Sequence, residues 1–160
     1  MESVKDMVYR CETDTERALV SLLALCGTRI SEARSVRPSS INQRARTLTV
    51  RGKGDKVRVI PISIRAWELL EPRLIQATPT DEFLVNVSDR TGRRMWTRIA
   101  ERAGVTKSGS HDGRATLATA MLNKNGNIRV VQEFLGHASS TTTEVYTKVT
   151  MDQMRSGVEL

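Results

Sequence analysis

Residues 46–63 read RTLTVRGKGDKVRVIPIS, and their apolar period differs from that of the chain on either side. Leu48 and Val50 alternate with Thr47, Thr49 and Arg51; after Gly52-Lys53-Gly54-Asp55, Val57 and Val59 alternate with Arg58 and Ile60. A period of two on both sides of a glycine-bearing turn predicts a β-hairpin. Elsewhere the period lengthens to that of helices. Thr13 and Glu16 form a capping-box pattern at the head of a helix over 13–26, with Leu19, Leu22, Leu23 and Cys26 as its stripe and Gly27 as its stop. A short helix over 31–36 ends before Pro38. Beyond the hairpin come a helix over 64–71 and a strand over 82–87. Helices follow over 93–103, 112–125, 128–135, 141–148 and 152–158, with Gly104, Gly126 and Gly136 as stop signals. The expected class is mainly α with a small three-stranded antiparallel β-sheet (α+β).

A chain of 160 residues can bury one good core. With no repeat, linker or low-complexity segment, residues 1–160 read as a single domain. The net charge of +7 is spread along the chain, which points to a folded basic surface facing nucleic acid or an acidic membrane. No apolar run approaches the roughly 18 residues a membrane span needs, and Met1 opens no signal-peptide pattern. Cys11 and Cys26 form neither a disulfide framework nor a spaced zinc motif, and no spacing joins them with His111 and His137 into a metal site. A reducing, cytoplasmic compartment fits best.

Several polar residues sit at punctuation points. Arg29 follows the Gly27 stop, and could be a surface arginine paired with Glu32 or an anion contact. Lys53 occupies the hairpin turn, either as a solvated lysine or as a proton donor carried on a flexible loop, with Lys56 as its competitor. His111 and Arg114 share one face at a helix start, where exposed N–H groups favour an anion. His137 follows Gly136. Tyr146, nine residues on, reads singly as a half-buried helix tyrosine.

Together these stretches resemble a known family. Gly27-Thr28-Arg29-Ile30-Ser31-Glu32, Gly52-Lys53-Gly54-Asp55-Lys56, His111-Asp112-Gly113-Arg114, Leu135-Gly136-His137 and Tyr146 look like the successive boxes of tyrosine site-specific recombinases of the phage-integrase family, in order and with similar spacing. The resemblance implies that family's catalytic-domain fold, and DNA strand cleavage and rejoining through a 3′-phosphotyrosyl intermediate. It makes Tyr146 the nucleophile and Arg29 and Arg114 the clamp on the non-bridging oxygens. Lys53 becomes the proton donor to the leaving 5′-oxygen, His111 the acceptor of the tyrosine proton, and His137 a phosphate ligand. The chemistry suits these residue types. About one phenol in a thousand is ionised at neutral pH, so attack needs neighbouring cations and a base, and arginine's planar fork matches a phosphate. No metal or cofactor is expected.

The family more usually has leucine where Gly113 stands and histidine where Ala115 stands, so Gly113 is expected to weaken the helix start and remove an apolar anchor. The resemblance also implies an N-terminal DNA-binding domain absent from this chain, which should leave DNA binding weak and salt-sensitive. The implied partners are double-stranded DNA, three further copies on synapsed DNA (a monomer when alone) and accessory DNA-bending proteins, with no membrane. The stripe Met151, Met154 and Val158 would bury itself in its own domain or in a neighbour's groove. Two rival readings are a type IB topoisomerase and a non-catalytic helix-turn-helix module around Gly136.

Overall fold

A computed structural model describes residues 1–78, 82–106, 108–136 and 149–160. His137, Tyr146 and the helix expected over 141–148 lie outside the described residues. Within them, eight α-helices surround a small sheet: α1 Glu2–Tyr9, α2 Asp14–Val20, α3 Ile30–Arg34, α4 Ile64–Gln76, α5 Asp89–Arg102, α6 Ser110–Asn125, α7 Ile128–Leu135 and α8 Met151–Val158. The sheet is antiparallel in the order β1 (Ile41–Asn42), β2 (Thr47–Arg51), β3 (Val57–Pro61). The expected class, mainly helical with three antiparallel strands, is the one observed.

Helix α2 starts as its sequence demands. The Thr13 hydroxyl accepts from Glu16 N at 3.1 Å, while the Glu16 carboxylate accepts from the Glu12 N–H rather than from Thr13 itself. The helix then widens into a π turn over Ser21–Leu25, with Cys26 N donating to Ser21 O at 2.9 Å. Such turns often mark functional sites. Here the turn frees the Leu22 carbonyl, which accepts both the N–H and the hydroxyl of Thr28. With Gly27 at φ +62°, the chain reverses and delivers Arg29 to the head of α3.

The hairpin pairs Leu48 with Ile60 and Arg51 with Val57. On β2, Leu48 and Val50 face inward as expected. On β3 the inward parity is that of Ile60: Val57 and Val59 are exposed, Ile60 is fully buried and Arg58 is partly buried. The register requires this, because Ile60 lies opposite inward-facing Leu48 and Arg58 opposite Val50.

The strand expected over 82–87 is corrected. Leu84 and Val85 are buried consecutively, which the alternating faces of a strand disfavour. The segment is strapped to α3 instead, with Leu84 N donating to Val36 O and Arg34 Nε to Val87 O. The third strand is β1, and α4 runs past the expected stop, through Pro72 to Gln76.

The core joins Leu19, Leu22 and Leu23 to Trp96, Leu117 and Phe134. The packing around Gly113 corrects the expectation that an apolar anchor is missing there. A Cβ there would stand 2.5 Å from Trp96 Cη2 and 3.1 Å from Ala24 Cβ, so the missing side chain lets α6 close on α5 and the π turn. Helix α8 packs on α6, α7 and β3 with Met154 and Val158 buried, so its apolar stripe is satisfied within its own domain.

Candidate active site

Three chain junctions meet on one side of the core: the Gly27–Arg29 reversal, the hairpin turn and the end of α7. Arg29 is the N-cap of α3, and its backbone N–H donates to Glu32 Oε2 at 2.8 Å while its Nη1 reaches Glu32 Oε1 at 3.1 Å. The Glu32 side chain is 3% exposed, so a carboxylate there needs partners. Arg58 supplies the rest, with Nη1 on Oε1 at 3.0 Å and Nη2 on Oε2 at 3.1 Å. Burial alone would push the Glu32 carboxyl up. The hydrogen bonds from Arg58 and from the Arg29 backbone, with the charges of both arginines, hold it below the usual carboxylate range.

Beside this cluster lies a cleft of about 730 Å³ lined by Arg29, Lys53, Lys56, Arg58, Gln132 and Gly136 among others. Lys53 and Lys56 flank the hairpin turn and are exposed; Gly54 and Asp55 between them have φ of +71° and +60°. The turn is close to the cluster, since a Cβ on Gly52 would stand 3.1 Å from Glu32 Oε1. The described lining carries four cations against the carboxylates of Glu32 and Glu133, so the cleft favours an anion.

Arg114 comes from the first half of α6 and is buried. Its Nη2 donates to Leu135 O at 2.8 Å and its Nη1 to Gly27 O. Burial pushes this guanidinium down to about 10; the positive charges of Arg29 and Arg58 act the same way and Glu32 opposes them. Arg29, Arg58 and Arg114 therefore sit within one another's fields. His111 is exposed in the first turn of α6, one turn before Arg114, and is not among the described residues lining the cleft.

Arg29 and Lys53 thus line one cleft, Arg114 is buried near Arg29 but is not among the described residues lining that cleft, His111 lies on the helix that carries Arg114, and His137 and Tyr146 fall outside the described residues. Arg58 is the site residue that the alternation of valines hid. Its parity with Ile60 and Ile62 was the available signal, because 58, 60 and 62 share one face of a strand. Among the described residues no cluster of three or more His, Cys, Asp or Glu could hold a metal ion. Cys11 and Cys26 are buried, and burial pushes their thiols up to about 11 and about 12. No helix of the described residues is long and apolar enough to cross a membrane.

A family model described as the phage integrase family matches residues 1–153, nearly the whole chain. The chain belongs to this family. It is 38% identical over 155 residues to the tyrosine recombinase XerC of Anoxybacillus flavithermus, covering 87% of this chain and 51% of that protein. Among solved structures, an integrase from mycobacterium phage Brujita superposes with a TM-score of 0.80 at 25% identity, over 99% of this chain and 55% of that one. The XerH site-specific recombinase bound to its difH substrate in a pre-cleavage complex superposes with a TM-score of 0.71 at 25% identity, over 86% of this chain and 45% of that one. The chain spans about half the length of the curated family relatives it matches.

Proposed function

We propose that residues 1–160 form the catalytic domain of a tyrosine recombinase that cleaves and rejoins double-stranded DNA. The observation that carries this reading is that Arg29 and Lys53, far apart in sequence, line one cationic cleft, with the buried Arg114 within the field of Arg29 beside it. Membership of the phage integrase family supports it, as does the likeness to a recombinase captured before cleavage.

In the proposed reaction the Tyr146 oxygen attacks the scissile phosphorus and the bond from phosphorus to the 5′-oxygen breaks. His111 accepts the phenol proton, and Lys53 gives a proton to the departing 5′-oxygen. Arg29 and Arg114 neutralise the charge that builds on the non-bridging oxygens, and His137 adds a hydrogen bond. Fixed donors of this kind are each worth about 3–4 kcal/mol in a transition state. The phosphotyrosyl ester keeps the energy of the broken bond, so a 5′-hydroxyl reverses the steps without a cofactor or metal.

DNA would be held along a second basic feature. Arg90, Arg94 and Arg98 recur every four residues on α5 and are all exposed, forming one stripe suited to successive phosphates. Four copies on two duplexes, helped by accessory DNA-bending proteins in a cytoplasmic setting, complete the proposal; alone, the chain is a monomer.

The test is covalent trapping. The chain is incubated with nicked suicide duplexes of randomised sequence, and a denaturing gel is read for a protein–DNA band. The wild type should yield an adduct, and Tyr146→Phe, which keeps the ring and deletes the oxygen, should yield none. An adduct that survives in Tyr146→Phe, or none from the wild type, rejects the reading.

A further inference from the structure

Two arginines stitch the same pair of chain junctions together. Arg114 joins Gly27 O to Leu135 O, and Arg58 joins the Glu32 carboxylate to Phe134 O, its Nε donating at 3.1 Å. Phe134 and Leu135 are the last residues of α7, whose terminal carbonyls have no partners within the helix and whose dipole favours a cation. Arg58 also packs beneath Gly136: a Cβ there would stand 2.8 Å from Arg58 Cδ and 3.1 Å from its Nη1. Glu32 is shared as well, since its Oε1 accepts from both Arg29 and Arg58. Arg58 therefore contacts the partner that orients Arg29, the end of the helix that Arg114 caps, and the residue preceding His137. Its side chain is 13% exposed, against 41% for Arg29.

We infer that Arg58 is a positioning residue for strand cleavage, fixing Arg29 through Glu32 and the exit of α7 through Phe134 O, so that the phosphate ligands hold one geometry. The inference rests on the catalytic reading above. A guanidinium is needed because three of its nitrogens are engaged in one plane, on two oxygens of a carboxylate and one carbonyl. Lysine offers one nitrogen and cannot reach both sides at once.

The role has a signature that loss of folding would not mimic. Glu32 is faced by Arg29 at the head of α3, Arg58 from β3 and Arg114 from α6, with Lys53, Lys56 and Glu133 lining the adjoining cleft. Without Arg58 the carboxyl loses the hydrogen bonds and the charge that most oppose its burial, and it titrates higher than in the wild type. Once protonated it no longer pairs with the Arg29 side chain.

The experiment compares wild type, Arg58→Lys and Arg58→Met on nicked duplex DNA. Affinity, the single-turnover rate of adduct formation at saturating protein, and the pH dependence of that rate are measured. At saturating protein, where affinity no longer limits the rate, Arg58→Met should cleave about 100-fold more slowly, the scale on which a misplacement of about 1 Å acts. Its rate should fall off at a higher pH on the acid side. Arg58→Lys should return the acid limb toward wild type while leaving the rate about tenfold low, since it restores charge but not the fork. Should Arg58→Met fail to fold, Arg58→Lys decides: a wild-type rate overturns the inference. So does weakened affinity with an unchanged rate at saturation, which would make Arg58 a DNA contact. No adduct from the wild type itself would reject the catalytic reading, and this inference with it.

Discussion

Gly113 and Trp96 touch so closely that the hydrogen on the glycine Cα occupies the only room available: a Cβ would lie 2.5 Å from Trp96 Cη2. Alanine at this position gains about 1 kcal/mol in helix propensity, but overpacking a buried contact costs about 1–3 kcal/mol. Gly113→Ala should therefore lower stability by up to about 2 kcal/mol, read as a smaller midpoint in urea. Trp96→Phe should cost less in the Gly113→Ala background than in the wild type, since the ring is one of the groups the new methyl meets. An unchanged midpoint in Gly113→Ala would show that α5 and α6 separate freely.

Glu32 sets a pH dependence whose sign follows from its partners. Its carboxyl is held below the ordinary value of 4.5 in the fold, so the folded chain takes up that proton at lower pH than the unfolded chain. The stabilisation is fully present above 4.5 and disappears as the pH falls through the lower, folded value. At neutral pH Glu32→Gln should cost about 3 kcal/mol, because two arginines lose a buried counter-charge. The gap between wild type and variant, followed by urea unfolding from pH 7 to pH 3, should narrow below pH 4.5. A constant gap would mean that the carboxylate charge contributes nothing.

The stripe on α5 bears on DNA affinity rather than on chemistry. Replacing Arg90, Arg94 and Arg98 together by glutamine should reduce the slope of log affinity against log salt by about 2–3, roughly one unit for each phosphate that is no longer neutralised. The adduct-forming rate at saturation should stay as it was. A slope equal to that of the wild type would place the duplex elsewhere.

Helix α8 is held by more than its apolar stripe. The Glu159 carboxylate accepts from Ile64 N at 3.1 Å, Arg155 Nη2 donates to Ala45 O at 2.9 Å, and Met154 is 6% exposed. Met154→Ala should cost about 2–4 kcal/mol, in the range of buried large-to-small changes. Deleting residues from Met151 onward should then impair folding itself, and not only steps that need several copies. A calorimetric Tm unmoved by Met154→Ala would show that the helix is exchangeable.

Much of this architecture was legible in the sequence, and the failures have physical reasons. The hairpin and the ends of α6 and α7 were readable because alternation and Gly126 and Gly136, both at positive φ, are local signals. Arg29, Lys53 and Arg114 were singled out through the resemblance to a family, since each alone looks like an ordinary surface cation. Helix α1 was missed because it buries only Val4 and Met7 and its N-cap is Met1, without a capping side chain. Strand β1 is two residues long, too short to display a period. Residues 82–87 have strand-like composition, but two adjacent residues are buried, and only packing against Val36 decides that. Arg58 was missed because the strand offers two apolar parities, Val57 with Val59 and Ile60 with Ile62, and the pairing with Leu48 and Val50 decides that the second faces inward.

The burial of Arg114 has a consequence for how recognition is divided in time. Drying a guanidinium is costly, and this chain does so while it folds, compensating with the carbonyls of Gly27 and Leu135. On the proposed reading, an anion arriving later would meet a cation with little hydration left to displace, so part of its affinity would be settled before the encounter. Folding and the proposed recognition would then depend on one guanidinium. An apolar residue of similar volume at position 114 could leave a hardier fold, at the expense of the attraction proposed for an anion. Resistance to denaturation is thus a poor guide to competence at this position, and the less stable of two variants can be the better binder.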